Sequence, residues 1–289
     1  MKVWILVIIM ILGGVVSAKT QFVISDGMKS VDLKDFARDL QSYDLIFFGE
    51  DHLDKDLHDL QAELLGLLIE GSRPLSLSFE MWERDTQEVL DQYLAGKIDA
   101  EAFKEKSRAW TNFDDYLPLV DFAARHGLPA LAANVPRVIA SRVAREGLDF
   151  IDALPSVERA WAARQITTPD DAYKANFYAQ MQEMGGHAMP EASLWRYYQS
   201  QCLKDDTMAE SIVKAIVANP EALVIHFNGY FHSNSYLGTV SRVMQALPRL
   251  RIAVISPVYA EDWDQAELTK EHYGLGSHLL LLNPYEEES

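Results

Sequence analysis

The chain has a single cysteine, Cys202, among its 289 residues. One cysteine excludes an intramolecular disulfide and a zinc site built from cysteines, so stability must come from an apolar core. The sequence also lacks a linker rich in proline, glycine and serine, an internal repeat and a low-complexity segment. These absences favour a single domain over residues 19–289.

Positive charge is scarce as well. Lys and Arg number 26 against 43 Asp and Glu, which gives a formal net charge of −17. A protein this acidic is not expected to bind nucleic acid through a general electrostatic field, and anionic membrane surfaces would repel it. Beyond the first eighteen residues, every apolar run is too short or too charged to span a bilayer. We therefore expect no stable membrane span in the mature form.

The first eighteen residues have the pattern of a signal peptide. Lys2 supplies the positive start, residues 3–12 are apolar, and residues 16–18 fit a signal-peptidase site. We expect residues 1–18 to be removed and the protein to be exported, with the periplasm as the expected compartment. The alternative is an uncleaved segment that anchors the protein in the membrane.

Short apolar runs alternate with amphipathic stretches along the rest of the chain. This alternation predicts an α/β fold with a parallel-sheet core and crossover helices. Residues 137–218 are helical in pattern and exceed what a crossover needs, so they predict a large helical insertion that caps the sheet edge. The predicted strands are residues 45–48, 75–79, 130–133, 223–227, 252–255 and 278–282. The predicted helices are residues 54–70, 84–94, 100–110, 115–126, 137–145, 156–166, 170–184, 191–218 and 235–246.

Polar side chains follow four of these predicted strands. In open α/β sheets ligands bind outside the carboxyl ends of the strands, so we expect these side chains to converge in one pocket. Capping of a helix or turn is the alternative role for the two asparagines. The strand-end residues are Glu50, His52, Glu80, Asn134, Arg137, Asn228 and His232.

Two glutamates and two histidines form the candidate catalytic set: Glu50, His52, Glu80 and His232. Such side chains are sound ligands for a divalent metal. They also suit metal-free chemistry, in which a glutamate raises the basicity of a histidine that takes a proton from water. The sequence leaves both readings open. Because Glu80 follows an apolar strand, we expect its carboxylate to be buried against His52, His232 or a metal.

Four more polar residues are predicted to line the same pocket. His58 and Gln61 share one face of the helix after the first strand and can orient the first Glu–His pair, although a helix-surface role is the alternative. Gln201 and Asp205 interrupt the apolar stripe of the helix over residues 191–218. Buried polar groups need partners or a wet cavity, so both are placed at the pocket, with a local helix-packing hydrogen bond as the alternative.

In their order and spacing these residues resemble the ChaN-like family of haem-binding proteins, in the TIKI and erythromycin-esterase-like superfamily. The matching segments are Gly49-Glu50-x-His52 with His58 and Gln61, Phe79-Glu80-Met81, Ala132-Ala133-Asn134-x-Pro136-Arg137, Gln201-x3-Asp205-x2-Met208-Ala209 and Gly229-x2-His232. The resemblance implies haem held by a tyrosine at a homodimer interface, and a link to iron uptake. A tyrosinate is a sound ligand for ferric haem. The candidate ligands in the helical insertion are Tyr173, Tyr178, Tyr197 and Tyr198, together with His187.

Two hypotheses from different classes result. The first is an exported, dimeric haem carrier. The second is a hydrolase of an ester or amide, in which Glu50 orients His52, His52 is the general base, and Glu80 and His232 bind metal or stabilise an oxyanion. A scaffold with a degenerate site is a third reading, against which the intact set of motifs argues. The haem surface and the strand-end cluster need not coincide.

Overall fold

The computed structural model describes residues 20–183, 189–261 and 267–284. The predicted signal peptide and His187 lie outside these residues. The described strands are β1 (Thr20–Ile24), β2 (Lys29–Val31), β3 (Leu45–Glu50), β4 (Leu75–Glu83), β5 (Ala130–Asn134), β6 (Leu223–Gly229), β7 (Ile252–Tyr259) and β8 (His278–Leu282). The described helices are α1 (Leu33–Leu40), α2 (Lys55–Leu68), α3 (Gln87–Leu94), α4 (Ala100–Lys106), α5 (Phe113–His126), α6 (Arg137–Glu146), α7 (Ser156–Arg159), α8 (Ala172–Glu183), α9 (Glu191–Ala218), α10 (Gly238–Ala246) and α11 (Lys270–Tyr273).

The strands form one mixed sheet in the order β2-β1-β8-β7-β3-β6-β4-β5. From β8 to β5 every neighbouring pair is parallel, which confirms the predicted parallel core. All six predicted strands are present. The pattern missed β1 and β2, which add an antiparallel edge next to β8 and so make the sheet mixed.

The sheet is buried on both faces because successive side chains of its strands alternate between two apolar layers. On one face Ile46 and Phe48 pack with α1, α2, α4 and α5. On the other face Leu45 and Phe47 pack with α9 and α10. Each fully buried side chain of this size stabilises the fold by about 1.5–3 kcal/mol. This double cover leaves the carboxyl ends of the strands as the place where polar side chains can gather.

One predicted helix of the insertion is much shorter than expected. The pattern predicts a helix over residues 156–166, but α7 ends at Arg159. The following backbone bonds to side chains instead: Thr207 accepts from the Ala163 N–H and Glu210 accepts from the Arg164 N–H. The guanidinium of Arg159 also donates to the carbonyl of Ala163. Tertiary contacts with α9 therefore replace the helical hydrogen bonds that local propensity favoured.

The predicted helix over residues 235–246 begins late as well. Ser235 and Tyr236 have φ values of 57° and 60°, and Gly238 has 52°. Left-handed backbone cannot continue a right-handed helix, so α10 starts only at Gly238. Two short 3₁₀ turns, Tyr230–His232 and Asn234–Tyr236, therefore connect the end of β6 to α10.

Helix α9 runs antiparallel to the parallel strands and projects past their carboxyl ends. Ile216 and Ile212 pack with Leu45 near the start of β3, whereas Asp205 contacts His232 beyond the end of β6. At 1.5 Å per residue, the part of α9 before Gln201 extends about 15 Å beyond this edge. The helical insertion thus overhangs the strand ends.

Within the described ranges, no helix combines the length and the apolar character needed to cross a bilayer.

Candidate functional site

Glu50 and His52 form a hydrogen-bonded pair at the end of β3. Nδ1 of His52 donates to Oε1 of Glu50 over 3.0 Å. The Glu50 side chain is fully buried, whereas 34% of the His52 side chain is exposed. Tyr116, from α5, donates its hydroxyl to the same Glu50 oxygen over 2.7 Å. The carboxylate is therefore held inside the protein while the imidazole reaches the surface.

The second oxygen of Glu50 and the backbone of His52 are held by the helix that follows. The Gln61 amide donates to Oε2 of Glu50. Nδ1 of His58 lies 3.7 Å from that oxygen, and its Nε2 donates to the carbonyl of His52 over 3.2 Å. The same carbonyl accepts from the Asn112 amide over 2.7 Å. His58 and Gln61 thus lie against the first Glu–His pair, in contact with both of its members.

Glu80 and His232 form a second pair at the ends of β4 and β6. Nε2 of His232 lies 3.2 Å from Oε1 of Glu80, so the expected contact between Glu80 and a histidine is confirmed. The other Glu80 oxygen accepts from the Gly229 N–H over 2.8 Å. Both side chains are nearly buried, with 6% of His232 and 4% of Glu80 exposed. A buried carboxylate of this kind needs such a cationic partner.

Asp205 of α9 binds the other side of the His232 ring. Its Oδ1 lies 2.7 Å from Nδ1 of His232 and accepts from the Thr239 hydroxyl over 2.8 Å. Its Oδ2 accepts from the hydroxyl of Tyr173 over 2.7 Å. Gln201, one turn earlier on α9, places its amide 3.3 Å from Nε2 of His232. Both polar residues on the α9 stripe therefore lie at the site.

The two carboxylates keep His232 protonated. Burial alone would lower the pKa of His232, but Glu80 and Asp205 together raise it to about 9. Burial would likewise raise the pKa of Glu80, yet His232, His52 and Lys204 hold it well below its usual range. With both ring nitrogens donating, His232 is an imidazolium at neutral pH. It can stabilise negative charge, but it cannot act as a base.

His52 has a different environment. Burial lowers its pKa, but the hydrogen bond to Glu50 and the charge of Glu80 outweigh this and raise it above the usual value. Nε2 has no hydrogen-bond partner among the described residues. The ring lies so close to Gly229 that a Cβ there would come within 2.6 Å of Nε2. A side chain at this position would have to displace the imidazole from its present place.

The predicted divalent-metal site of Glu50, His52, Glu80 and His232 is not supported. In the part of the chain that the structure describes, no group of three or more His, Cys, Asp or Glu side chains could hold a metal ion. The physical reason is pairing: both ring nitrogens of His232 face carboxylates, and Nδ1 of His52 is bound to Glu50. The donors satisfy one another rather than converging on one point.

The remaining strand-end residues support the backbone around the site. Asn134 donates to the carbonyl of Glu80 over 3.1 Å, and Asn228 donates to the hydroxyl of Ser233 over 3.0 Å. Oδ1 of Asn228 is buried without a partner among the described residues. Arg137 donates to Glu83, which lies three residues after Glu80 on β4, over 2.7 Å. Arg137 therefore lies at the rim and the asparagines lie beneath the site.

The four candidate tyrosines differ sharply in exposure. Tyr173 and Tyr198 are buried, and their hydroxyls donate to Asp205 and to the carbonyl of Pro169. Burial and the charge of Asp205 raise the pKa of Tyr173 well above its usual value, so it stays a phenol. Tyr178 is half-buried beside the Lys174 ammonium. Tyr197 is 43% exposed.

Three residues that contact the site were not predicted from the sequence: Tyr116, Asn112 and Thr239. Each lies on or next to a helix whose pattern signals only an amphipathic surface. The local sequence holds no signal for them, because the residues they contact are 66, 60 and 34 positions away.

Over 159 residues the chain is 24% identical to the protein RETICULATA-RELATED 5, chloroplastic, of Arabidopsis thaliana. That match covers 51% of this chain and 20% of that protein, so the chain spans only a small part of that relative. A solved structure of ChaN of Campylobacter jejuni, described as showing cofacial heme binding, superposes on this chain with a TM-score of 0.70 at 16% identity. The superposition covers 93% of this chain and 98% of that one.

An erythromycin esterase mutant in its open conformation superposes with a TM-score of 0.48 at 11% identity, over 83% of this chain and 76% of that one. The sequence model of the family described as "Haem-binding uptake, Tiki superfamily, ChaN" matches residues 36–243. That range holds β3 to β6, the first two thirds of α10 and every residue of the site described above. The chain therefore belongs to this haem-binding ChaN family of the Tiki superfamily.

Proposed function

We propose that the protein binds haem through the phenolate of Tyr197. Of the four candidate tyrosines it is the exposed one, and its hydroxyl has no hydrogen-bond partner among the described residues. A ligand to ferric haem must reach the iron and give up its proton, which an exposed phenol can do and the buried, hydrogen-bonded Tyr173 cannot. The exposure of Tyr197 is the observation that carries the proposal.

The position of Tyr197 favours this role. Tyr197 lies four residues before Gln201 on α9. The two side chains are therefore about 40° apart around the helix axis, and Tyr197 is about 6 Å further from the sheet. Gln201 contacts His232, so Tyr197 lies on the overhanging part of α9, on the side that faces His232 and the other side chains at the strand ends. Apolar side chains flank that site: Leu53 is 61% exposed, and the ring of Trp110 packs edge-on against His52 at 4.9 Å. An apolar macrocycle suits such surroundings.

We further propose that two copies share the haem-binding surface and that the protein serves iron uptake after export. The Campylobacter relative is described as binding heme cofacially, an arrangement in which bound haems face each other. An exposed ligand on an overhanging helix leaves one haem face open to a second copy. Residues 1–18 have the pattern of a signal peptide, which supports export.

Tyr197→Phe is expected to abolish the Soret shift and the phenolate-to-iron charge-transfer band that hemin produces with the native protein. The change removes only the ligating oxygen from an exposed side chain, so folding should be unaffected. Tyr178→Phe, on the neighbouring helix, is the matched control and should bind hemin as the native protein does. Sedimentation with and without hemin tests whether two copies of the protein associate. Retention of the native hemin spectrum in Tyr197→Phe would show that another residue ligates the iron.

The Glu50–His52 pair favours a second candidate function, hydrolysis of an ester or amide without metal. Glu50 fixes Nδ1 of His52, and Nε2 has no partner within the described residues, so the ring can take a proton from water. The imidazolium of His232 is bound through both ring nitrogens to Glu80 and Asp205, so it holds these carboxylates in place and His52 is left as the base. Each of the two histidines then has a separate role, set by its partners.

If this second function holds, His52→Asn is expected to lower kcat on nitrophenyl esters by about 10²–10⁴-fold, the usual contribution of a general base. Glu50→Gln should also lower kcat, because the imidazole loses its orienting carboxylate. His126→Asn is the control, since His126 is exposed at the opposite edge of the sheet. Equal rates of ester cleavage in all three variants and the native protein would exclude this role.

A further inference from the structure

We propose that haem held by Tyr197 covers His52, so that haem and any substrate of the strand-end site exclude one another. The inference rests on the proposed haem ligand and adds a regulation to it. The strand-end site here means Glu50, His52, Glu80, Gln201 and His232.

The two positions are joined by a short chain of contacts. Tyr197 and Gln201 share a face of α9, about one helical turn apart. The Gln201 amide lies 3.3 Å from His232, and His232 lies 3.2 Å from Glu80. His52 and Glu80 are near enough for each to change the pKa of the other. A macrocycle is wider than one helical turn, so one seated on Tyr197 extends over the strand ends.

Access to the site runs past His52. Of the four candidate catalytic side chains, His52 is 34% exposed, whereas Glu50, Glu80 and His232 are at most 6% exposed. A water molecule or substrate therefore approaches from the side of the imidazole, at the sheet edge past which the overhang of α9 projects. A flat ligand at that overhang closes the approach without touching the buried carboxylates.

Thermodynamic reciprocity gives the exclusion two measurable consequences. Haem should slow every reaction of His52 with a solvent reagent. A small molecule that occupies the strand-end site should weaken haem binding by the same coupling. Histidines remote from the overhang should be unaffected, and His126, exposed at the end of α5, serves as that reference.

The test is carbethoxylation of the native full-length protein by diethylpyrocarbonate, with and without hemin, followed residue by residue by mass spectrometry. Hemin at ten times its Kd leaves about one protein molecule in ten unliganded, so the modification rate of His52 should fall about tenfold. His126 should react at an unchanged rate. In Tyr197→Phe the same hemin concentration should leave His52 as reactive as in the unliganded protein.

The outcomes separate this inference from the proposed haem site. Absence of a Soret shift that depends on Tyr197 overturns the haem site and this inference with it. A Soret titration that saturates and depends on Tyr197, while His52 reacts at its unliganded rate, overturns only the exclusion. Protection of His52 that persists in Tyr197→Phe also overturns it, because haem would then be covering His52 from elsewhere.

Discussion

Replacing Asp205 with alanine is expected to lower the free energy of unfolding by about 3–5 kcal/mol, the usual loss when one partner of a buried ion pair is removed. Asp205 is fully buried and its carboxylate accepts three hydrogen bonds, from His232, Tyr173 and Thr239. Burial alone would raise the pKa of Asp205, but His232 and Arg242 hold it below the usual value. Alanine leaves two buried donors unsatisfied and the imidazolium with one counter-ion.

Denaturant unfolding monitored by circular dichroism measures this loss. Asp170→Ala is the matched control, because Asp170 pairs with Lys174 at 2.9 Å but is 88% exposed. Removing that exposed carboxylate should leave the unfolding midpoint nearly unchanged. A loss in Asp205→Ala no larger than in Asp170→Ala would mean that His232 is not held as an imidazolium by the buried carboxylates.

Raising the pH from about 6.5 to 9.5 is expected to remove about 3 kcal/mol of stability through His232, since each pKa unit corresponds to about 1.4 kcal/mol. The pKa of His232 in the folded protein is raised to about 9 by Glu80 and Asp205, against burial, from an unfolded value of 6.5. A raised pKa means that the folded state binds the proton more tightly. The stabilisation is complete below pH 6.5 and is lost as the pH rises through about 9.

Cys202 and Tyr173 do not titrate in this window, since burial and Asp205 raise the pKa of Cys202 to about 12 and that of Tyr173 well above 10. His52, whose pKa is also raised above its usual value, contributes to the decline in the native protein and in the variant alike. The difference between the unfolding free energies of the native protein and of His232→Gln, measured at pH 6.5, 8 and 9.5, therefore reports the contribution of His232. The variant should show a shallower decline with pH. Parallel declines in the two proteins would contradict the proposed protonation state.

The strand ends were predictable because the governing signals are local. A run such as Leu45 to Phe48 is apolar at every position, which in a parallel sheet means burial on both faces. The chain must then turn at the next polar residues, so Glu50, Glu80 and His232 come to one edge by topology alone. Gln201 and Asp205 were also detectable, since each breaks an apolar stripe on a long helix.

The protonation of the site was not predictable. Two glutamates and two histidines at strand ends are compatible with a metal site and with ion pairs, and the choice depends on distances between elements. Asp205 takes one nitrogen of His232 and Glu80 takes the other, so the expected metal donors are paired with one another. Tyr116 completes the environment of Glu50 from a helix 66 residues later.

The sequence by itself determined the parallel core, the long helix and the gathering of polar side chains at one sheet edge, because hydrophobic periodicity controls each of these. The tertiary structure decided which tyrosine is exposed. Tyr197 and Tyr198 are adjacent in sequence and equal in propensity, yet 100° around α9 separates a solvent-facing phenol from one that packs against Tyr173 and Phe177. That difference arises only when α9 docks against the rest of the fold, since docking selects which face of the helix is buried.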